Sequence, residues 1–224
     1  MIKLFRSIQK KFGIAFNLIN RFGWKKFIFE IIPWLFHKRF IFYAGPISGS
    51  LPESQAELPF RLELAEEKDL HHIVRLRPDF YTLAQIQERL KKRHLCFLGW
   101  NGNEPIHIRW AFVHSCYLPY LHRTVNINPE AVFSDEAYTI SGFRCKGVYS
   151  SSENLMRKIL ENMGYKRIVR VIPTWDSFLL KTAEKKAMKK IGEGGYRNMF
   201  GFRRFFWTGL IQERGRRTIF IASN

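Results

Sequence analysis

Apolar residues recur every three or four positions at the start of the chain, at Phe5, Ile8, Phe12, Phe16, Ile19 and Phe22. That is the spacing of one helical face. After Gly23 a second series runs through Trp24, Phe27, Ile28, Ile31 and Leu35. The period then shortens. Residues 39–43 have the make-up of a short strand, and 60–64 read as the first strand of the main domain. Residues 66–75 and 82–92 read as helices, with Thr82 as an N-cap. Residues 95–100 and 106–114 flank Asn101-Gly102, the signature of a hairpin. Residues 117–133 mix aromatics and prolines without a period. From 136 to 192 the pattern reads strand, glycine loop, helix, strand, helix. Residues 137–140 are the strand, and Ser150, Ser151 and Ser152 offer capping oxygens. Leu155, Met156, Ile159, Leu160 and Met163 follow at helical spacing, Gly164 closes the helix, and 167–172 form a buried strand. Residues 192–196 read as a turn, 197–207 as a strand or hairpin limb, and 218–221 as a last strand.

Composition sharpens this outline. A hydrophobic share of 46% supports a packed core. Three cysteines without close pairing argue for a reducing compartment, and no zinc-ligand spacing is present. The formal charge of +18 favours an anionic partner. Nine Lys or Arg against the single acid Glu30 lie in residues 1–43, opposite the Phe and Trp positions. A basic, aromatic-rich amphipathic helix suits the surface of an anionic membrane, here the inner, cytoplasmic face, as a peripheral association. Packing on the main domain or a homodimer interface is the alternative. The apolar run is too short to span a bilayer. Nucleic acid is disfavoured, since no helix-turn-helix, RNP-like or OB pattern accompanies the charge. The expected organisation is a basic N-terminal segment over 1–43, a Pro/Gly/Ser linker over 44–59, and a main domain over 60–224.

The candidate chemistry lies where the strand meets the glycine loop. Gly142 and Gly147 bracket Phe143-Arg144-Cys145-Lys146 just before a helix. First-turn N–H groups lack internal partners and the helix dipole adds positive potential, so this is a ready anion site.

Arg144-Cys145-Lys146-Gly147-Val148-Tyr149 resembles the pyrophosphate loop of the GNAT acyltransferase superfamily, often Arg-Gly-Lys-Gly-Ile. The stretch from Asp176 to Gly192 is similar to that family's Asn-x-x-Ser-x-x-x-x-Glu-Lys-x-Gly-Phe segment. The resemblance covers roughly residues 59–204. It implies an α/β (α+β) fold: a mixed, mostly antiparallel sheet with splayed central strands, flanked by helices. It implies an acyl-CoA donor, acetyl-CoA in the simplest case, with an acyl-carrier protein as an alternative. The pyrophosphate would rest on Arg144, Cys145, Lys146, Gly147, Val148, Tyr149 and Ser150. The pantetheine arm would pair with Tyr138, Thr139, Ile140 and Ser141 as an added strand. Asp176 stands where the family has Asn, Leu179 where it has Ser, and Tyr149 where it has a second glycine.

Acyl transfer to an amine needs a base, and Asp135 or Glu136 is the candidate. A main-chain N–H near Thr139 or Ile140 is the expected oxyanion donor. Ala183 takes the place of a family tyrosine proton donor. Tyr149 is the candidate replacement, the rival reading being that it packs on the helix. The expected activity is N-acyl transfer to an amine. The alternative is a catalytically degenerate binding or scaffold protein on the same fold at a membrane surface.

Overall fold

The computed structural model describes residues 23–26, 37–49, 55–199, 202–215 and 217–221. Most of the basic N-terminal segment therefore lies outside the described residues. Of that segment, Trp24–Lys26 is helical. No helix among the described residues is long and apolar enough to cross a membrane.

Chain order is β1 (His37–Pro46), β2 (Arg61–Leu64), α1 (Leu70–Leu76), α2 (Leu83–Lys91), β3 (Leu95–Asn101) and β4 (Glu104–Phe112). Next come β5 (Ser115–Leu118), β6 (Arg123–Asn126), β7 (Ala131–Thr139), α3 (Val148–Asn162), β8 (Arg167–Pro173) and α4 (Ser177–Lys185). The chain continues with β9 (Lys189–Met199), β10 (Phe202–Gly209), β11 (Ile211–Glu213) and β12 (Thr218–Ile221). The main sheet runs β10-β9-β1-β8-β7-β4-β3-β2, and a smaller one runs β11-β12-β6-β5. Among the described residues of the main sheet, only β7 and β8 pair in parallel, over Ala131–Phe133 against Arg167–Val169. Beyond that point the two strands part. A mixed, mostly antiparallel sheet with a central splay and flanking helices is the GNAT-like layout that the motifs imply.

Strand alternation sends side chains to two cores. One face packs Trp110, Phe133 and Phe42 against α1, α2 and the small sheet. The other packs Val132, Ile168 and Tyr43 against Met156 and Leu160 of α3 and Ala183 of α4. Met156 and Leu160 are fully buried, each such side chain contributing about 1.5–3 kcal/mol.

Several local expectations hold. Thr82 caps α2 in a capping box with Gln85. β3 and β4 form the hairpin, with Gly102 at φ 57° in its turn.

The first boundary does not hold. β1 spans both sides of residue 43 and pairs with β8 on one edge and β9 on the other. The stretch assigned to the end of the basic segment and the start of a linker is thus an interior strand. Its alternation, Phe40 and Phe42 to one core and Tyr43 and Ile47 to the other, suits a strand buried on both faces. The next strand in the chain, β2, lies at the far edge of the sheet.

Residues 192–196 are not a turn but the middle of β9. Its glycines answer a close approach: a Cβ at Gly195 would meet the Lys38 carbonyl, and one at Gly194 the Trp207 ring. The aperiodic residues 117–133 hold β6, parts of β5 and β7, and the connections between them. β6 pairs with β12 in parallel, a partner about ninety residues away that no local signal announces.

Candidate active site

β7 carries a bulge against β4, where Ile108 faces Tyr138 but Trp110 faces Asp135. Glu136 occupies the bulge at φ 55°. Ordinary alternation would send neighbouring side chains to opposite faces; the bulge turns both Asp135 and Glu136 toward the α1–α2 side. Glu136 lies well inside the strand that the sequence pattern began only at residue 137.

Glu136 is held from two directions. Arg89 of α2 reaches both its oxygens, at 2.5 and 3.1 Å, and the Tyr81 hydroxyl donates to Oε2 at 3.0 Å. Burial alone opposes the Arg89 charge, but the hydrogen bond and charge of Glu136 outweigh it and raise its pKa. Asp135 accepts from the Tyr120 hydroxyl at 3.1 Å and from the Glu136 N–H at 2.8 Å. Burial first, and the Glu136 charge second, push its carboxyl up to about 6. Burial, reinforced by Glu136, raises the Tyr81 phenol far above its usual value, so it stays a donor. Arg89, Tyr81 and Tyr120 escaped the sequence reading because they come from α2, the residue before its N-cap, and the β5–β6 connection, with no shared local pattern.

At the end of β7 the chain makes a short 3-10 turn over Ser141–Phe143. Cys145 follows at φ 62° and Gly147 at φ 71°. Gly147, not a serine, sits at the N-cap of α3; Ser150, Ser151 and Ser152 are inside the helix. Nothing among the described residues accepts a hydrogen bond from the N–H groups of Cys145 through Ser150. Arg144, Cys145 and Lys146 are exposed around them. The loop is braced from behind by residues 55–57. Glu57 donates its N–H to the Lys146 carbonyl at 3.1 Å, and a Cβ on Gly147 would lie 2.7 Å from the Gln55 carbonyl. Free amides, a left-handed glycine and two cations at a helix N-terminus suit a diphosphate.

The remaining predicted residues are placed as follows. Tyr138 lies under the Arg77 guanidinium at 4.8 Å, with Arg144 at 5.4 Å. Thr139 bonds His107 Nδ1 through its hydroxyl at 2.8 Å, and its carbonyl accepts from Arg144 Nε. Ile140 donates its N–H to the Ile106 carbonyl of β4, so that donor is not free for an oxyanion. Strand alternation turns the Thr139 N–H to the opposite, open edge. Val148 is buried and anchors α3. Tyr149 presents its ring to the Arg109 guanidinium at 4.4 Å, on the α3 side of the sheet. It is therefore on the other face from Asp135 and Glu136. Asp176 caps α4, accepting from the Leu179 N–H at 3.1 Å.

No protein-family model matches the sequence, and no curated protein matches it. Solved structures overlap it in part. A functionally unknown conserved protein from Staphylococcus epidermidis aligns over 73% of this chain and 64% of its own, with 7% identity and a TM-score of 0.47. AAC(6')-Iy, in complex with a CoA bisubstrate analogue, aligns over 59% of this chain and 92% of its own, with 16% identity and a TM-score of 0.47. An aminoglycoside acetyltransferase from an uncultured soil sample, in complex with sisomicin, aligns over 57% of this chain and 86% of its own, with 12% identity and a TM-score of 0.42. Overlap at this level carries no weight for activity or substrate.

Proposed function

We propose that the protein is an acyl-CoA-dependent N-acyltransferase that moves an acyl group, acetyl in the simplest case, to the amine of an acceptor. The observation that carries this reading is the row of unengaged amides from Cys145 to Ser150 beside the open edge of β7. A diphosphate and an amide-rich arm need these two features side by side.

In the reaction the amine nitrogen bonds to the thioester carbonyl carbon and the carbon–sulfur bond breaks. The amine loses a proton and the sulfur gains one. The loop amides, Arg144 and Lys146 hold the diphosphate. The Thr139 N–H on the open edge pairs with the arm and aims its reactive end at the bulge. Asp135 takes the amine proton, directly or through a water. With its carboxyl near 6 it is ionised at neutral pH yet more basic than an ordinary aspartate. Glu136, fixed by Arg89 and Tyr81, supplies a stationary negative charge that draws a protonated amine and lifts Asp135. Tyr149 is the chain's candidate for returning a proton to sulfur. The N-terminal segment would hold the enzyme at an anionic membrane surface; its support is the charge pattern of residues 1–43.

Thiol release from acetyl-CoA, followed with a panel of primary amines, tests the activity. Amine-dependent release supports it. Tight CoA binding with no release from any amine would favour the scaffold alternative, which the buried Ala183 in the family's tyrosine position already recommends for comparison.

A further inference from the structure

Beneath the first turns of α3, on the face away from Asp135, four cationic side chains converge on one carboxylate. Glu153 is fully buried and meets Arg170 at 2.9 Å, Arg157 and Lys186 at 3.1 Å, and Arg109 at 3.7 Å. None of the four cations has more than 8% of its side chain exposed. Burial opposes the Glu153 charge, but Arg170, Arg109, Lys186 and Arg157 together drive its pKa far below the carboxylate range. Four cations against one carboxylate leave an excess of three positive charges in the interior. One carboxylate shared among four buried cations leaves most of their charge uncompensated. Lys186 registers the crowding: burial first, and Arg109 and Arg170 after it, bring its ammonium down to about 8 against the pull of Glu153.

The donors are not all engaged. Arg157 reaches the Pro46 carbonyl and Arg109 the Tyr149 carbonyl. The second terminal nitrogen of Arg170, however, has no partner among the described residues, and neither has Arg109 Nε. Arg170 also stands at a particular place. Pairing of β7 with β8 ends at Phe133 and Val169, so Arg170 is the next residue, where the strands part. Asp135 adds to the charges acting on it.

We propose that Arg170, backed by Arg109 and Lys186, recognises a carboxylate at the far end of the donor's acyl group, so that the preferred donor is a thioester of a short dicarboxylic acid. This rests on the acyl-CoA reading above. With the diphosphate at residues 145–150, the arm runs back along β7 from Ser141 toward Asp135, about 20 Å of strand at roughly 3.4 Å per residue. That path delivers the acyl group to the root of the splay. A neutral acyl group there leaves the excess charge unanswered. A carboxylate answers it with charge-assisted, bidentate hydrogen bonds.

Calorimetric titration of the full chain with CoA, S-butyl-CoA and S-(3-carboxypropyl)-CoA tests this without knowledge of the acceptor. The carboxypropyl thioether is expected to bind about tenfold more tightly than the butyl thioether, a difference of ~1.4 kcal/mol. The ratio of the two affinities should fall in Arg170→Lys, which keeps the charge but loses the fork. It should also fall in Lys186→Met, which leaves three cations on Glu153 and so keeps it compensated. Equal affinities for the two thioethers, with CoA still bound, overturn the donor assignment and leave the acyltransferase reading standing. Failure of all three compounds to bind overturns the loop reading and the donor assignment with it.

Discussion

Asp135 and Glu136 are neighbours in the chain and neighbours in space, because Glu136 adopts φ 55° within a bulge and both carboxylates face the α1–α2 side. The two then divide the work by their partners. Glu136 is locked by Arg89 and Tyr81, whereas Asp135 has only neutral donors, the Tyr120 hydroxyl and one N–H. The unlocked member is the one whose carboxyl rises to about 6.

This predicts a pH signature. Turnover should climb with pH through about 6 as Asp135 ionises, and Asp135→Asn should abolish turnover. Stability gives a readout free of catalysis. The folded-state pKa lies above the unfolded value, so the native protein binds this proton more tightly and stability falls as pH rises from about 4 to about 6. Asp135→Asn should therefore gain stability over the wild type across that window and keep the gain at neutral pH. Chemical denaturation at several pH values measures it. A constant difference from pH 3 to 8 would show that Asp135 has an ordinary carboxyl.

Ala187 offers a second prediction. It follows the C-terminus of α4 at φ 54° and is exposed, so a glycine there loses no packing. The left-handed region costs a non-glycine residue about 1–2 kcal/mol, and the extra freedom of glycine in the unfolded chain takes back about 0.4–1. Ala187→Gly should stabilise the protein by roughly 0.5–1 kcal/mol, read as a rise of about 2 °C in Tm. A lower Tm would contradict the strain.

Truncation separates the strand from the segment before it. Removing residues 1–36 should leave a cooperatively folded protein that no longer sediments with anionic vesicles. Removing residues 1–46 takes β1 from between β8 and β9 and should abolish cooperative melting. If the shorter truncation sediments as well as the full chain does, the membrane role of the N-terminal segment is wrong.

Local chemistry made the hairpin, α2 with its Thr82 cap, and the loop leading into α3 legible in the sequence. Features built from distant pairings were not. β1 joins strands more than a hundred residues away, and the glycines of β9 look like a turn until Lys38 and Trp207 are seen pressed against them. The carboxylates could be named from their position at the start of the central strand, but their partners Tyr81, Arg89 and Tyr120 could not. The buried charges did leave a trace: Arg109 sits between Ile108 and Trp110, Arg170 sits between Val169 and Val171, and Glu153 precedes Met156 and Leu160 on the buried face of α3. A charged residue inside a core-facing pattern marks a spot where the fold must supply a partner.

The amide row from Cys145 to Ser150 can be watched directly. In a backbone NMR titration of the full chain with CoA, the resonances of Cys145, Lys146, Gly147, Val148, Tyr149 and Ser150 should move most, followed by Thr139 on the open edge of β7. Saturating CoA that leaves these amides where they were, or that moves only the basic surface elsewhere, would contradict the account.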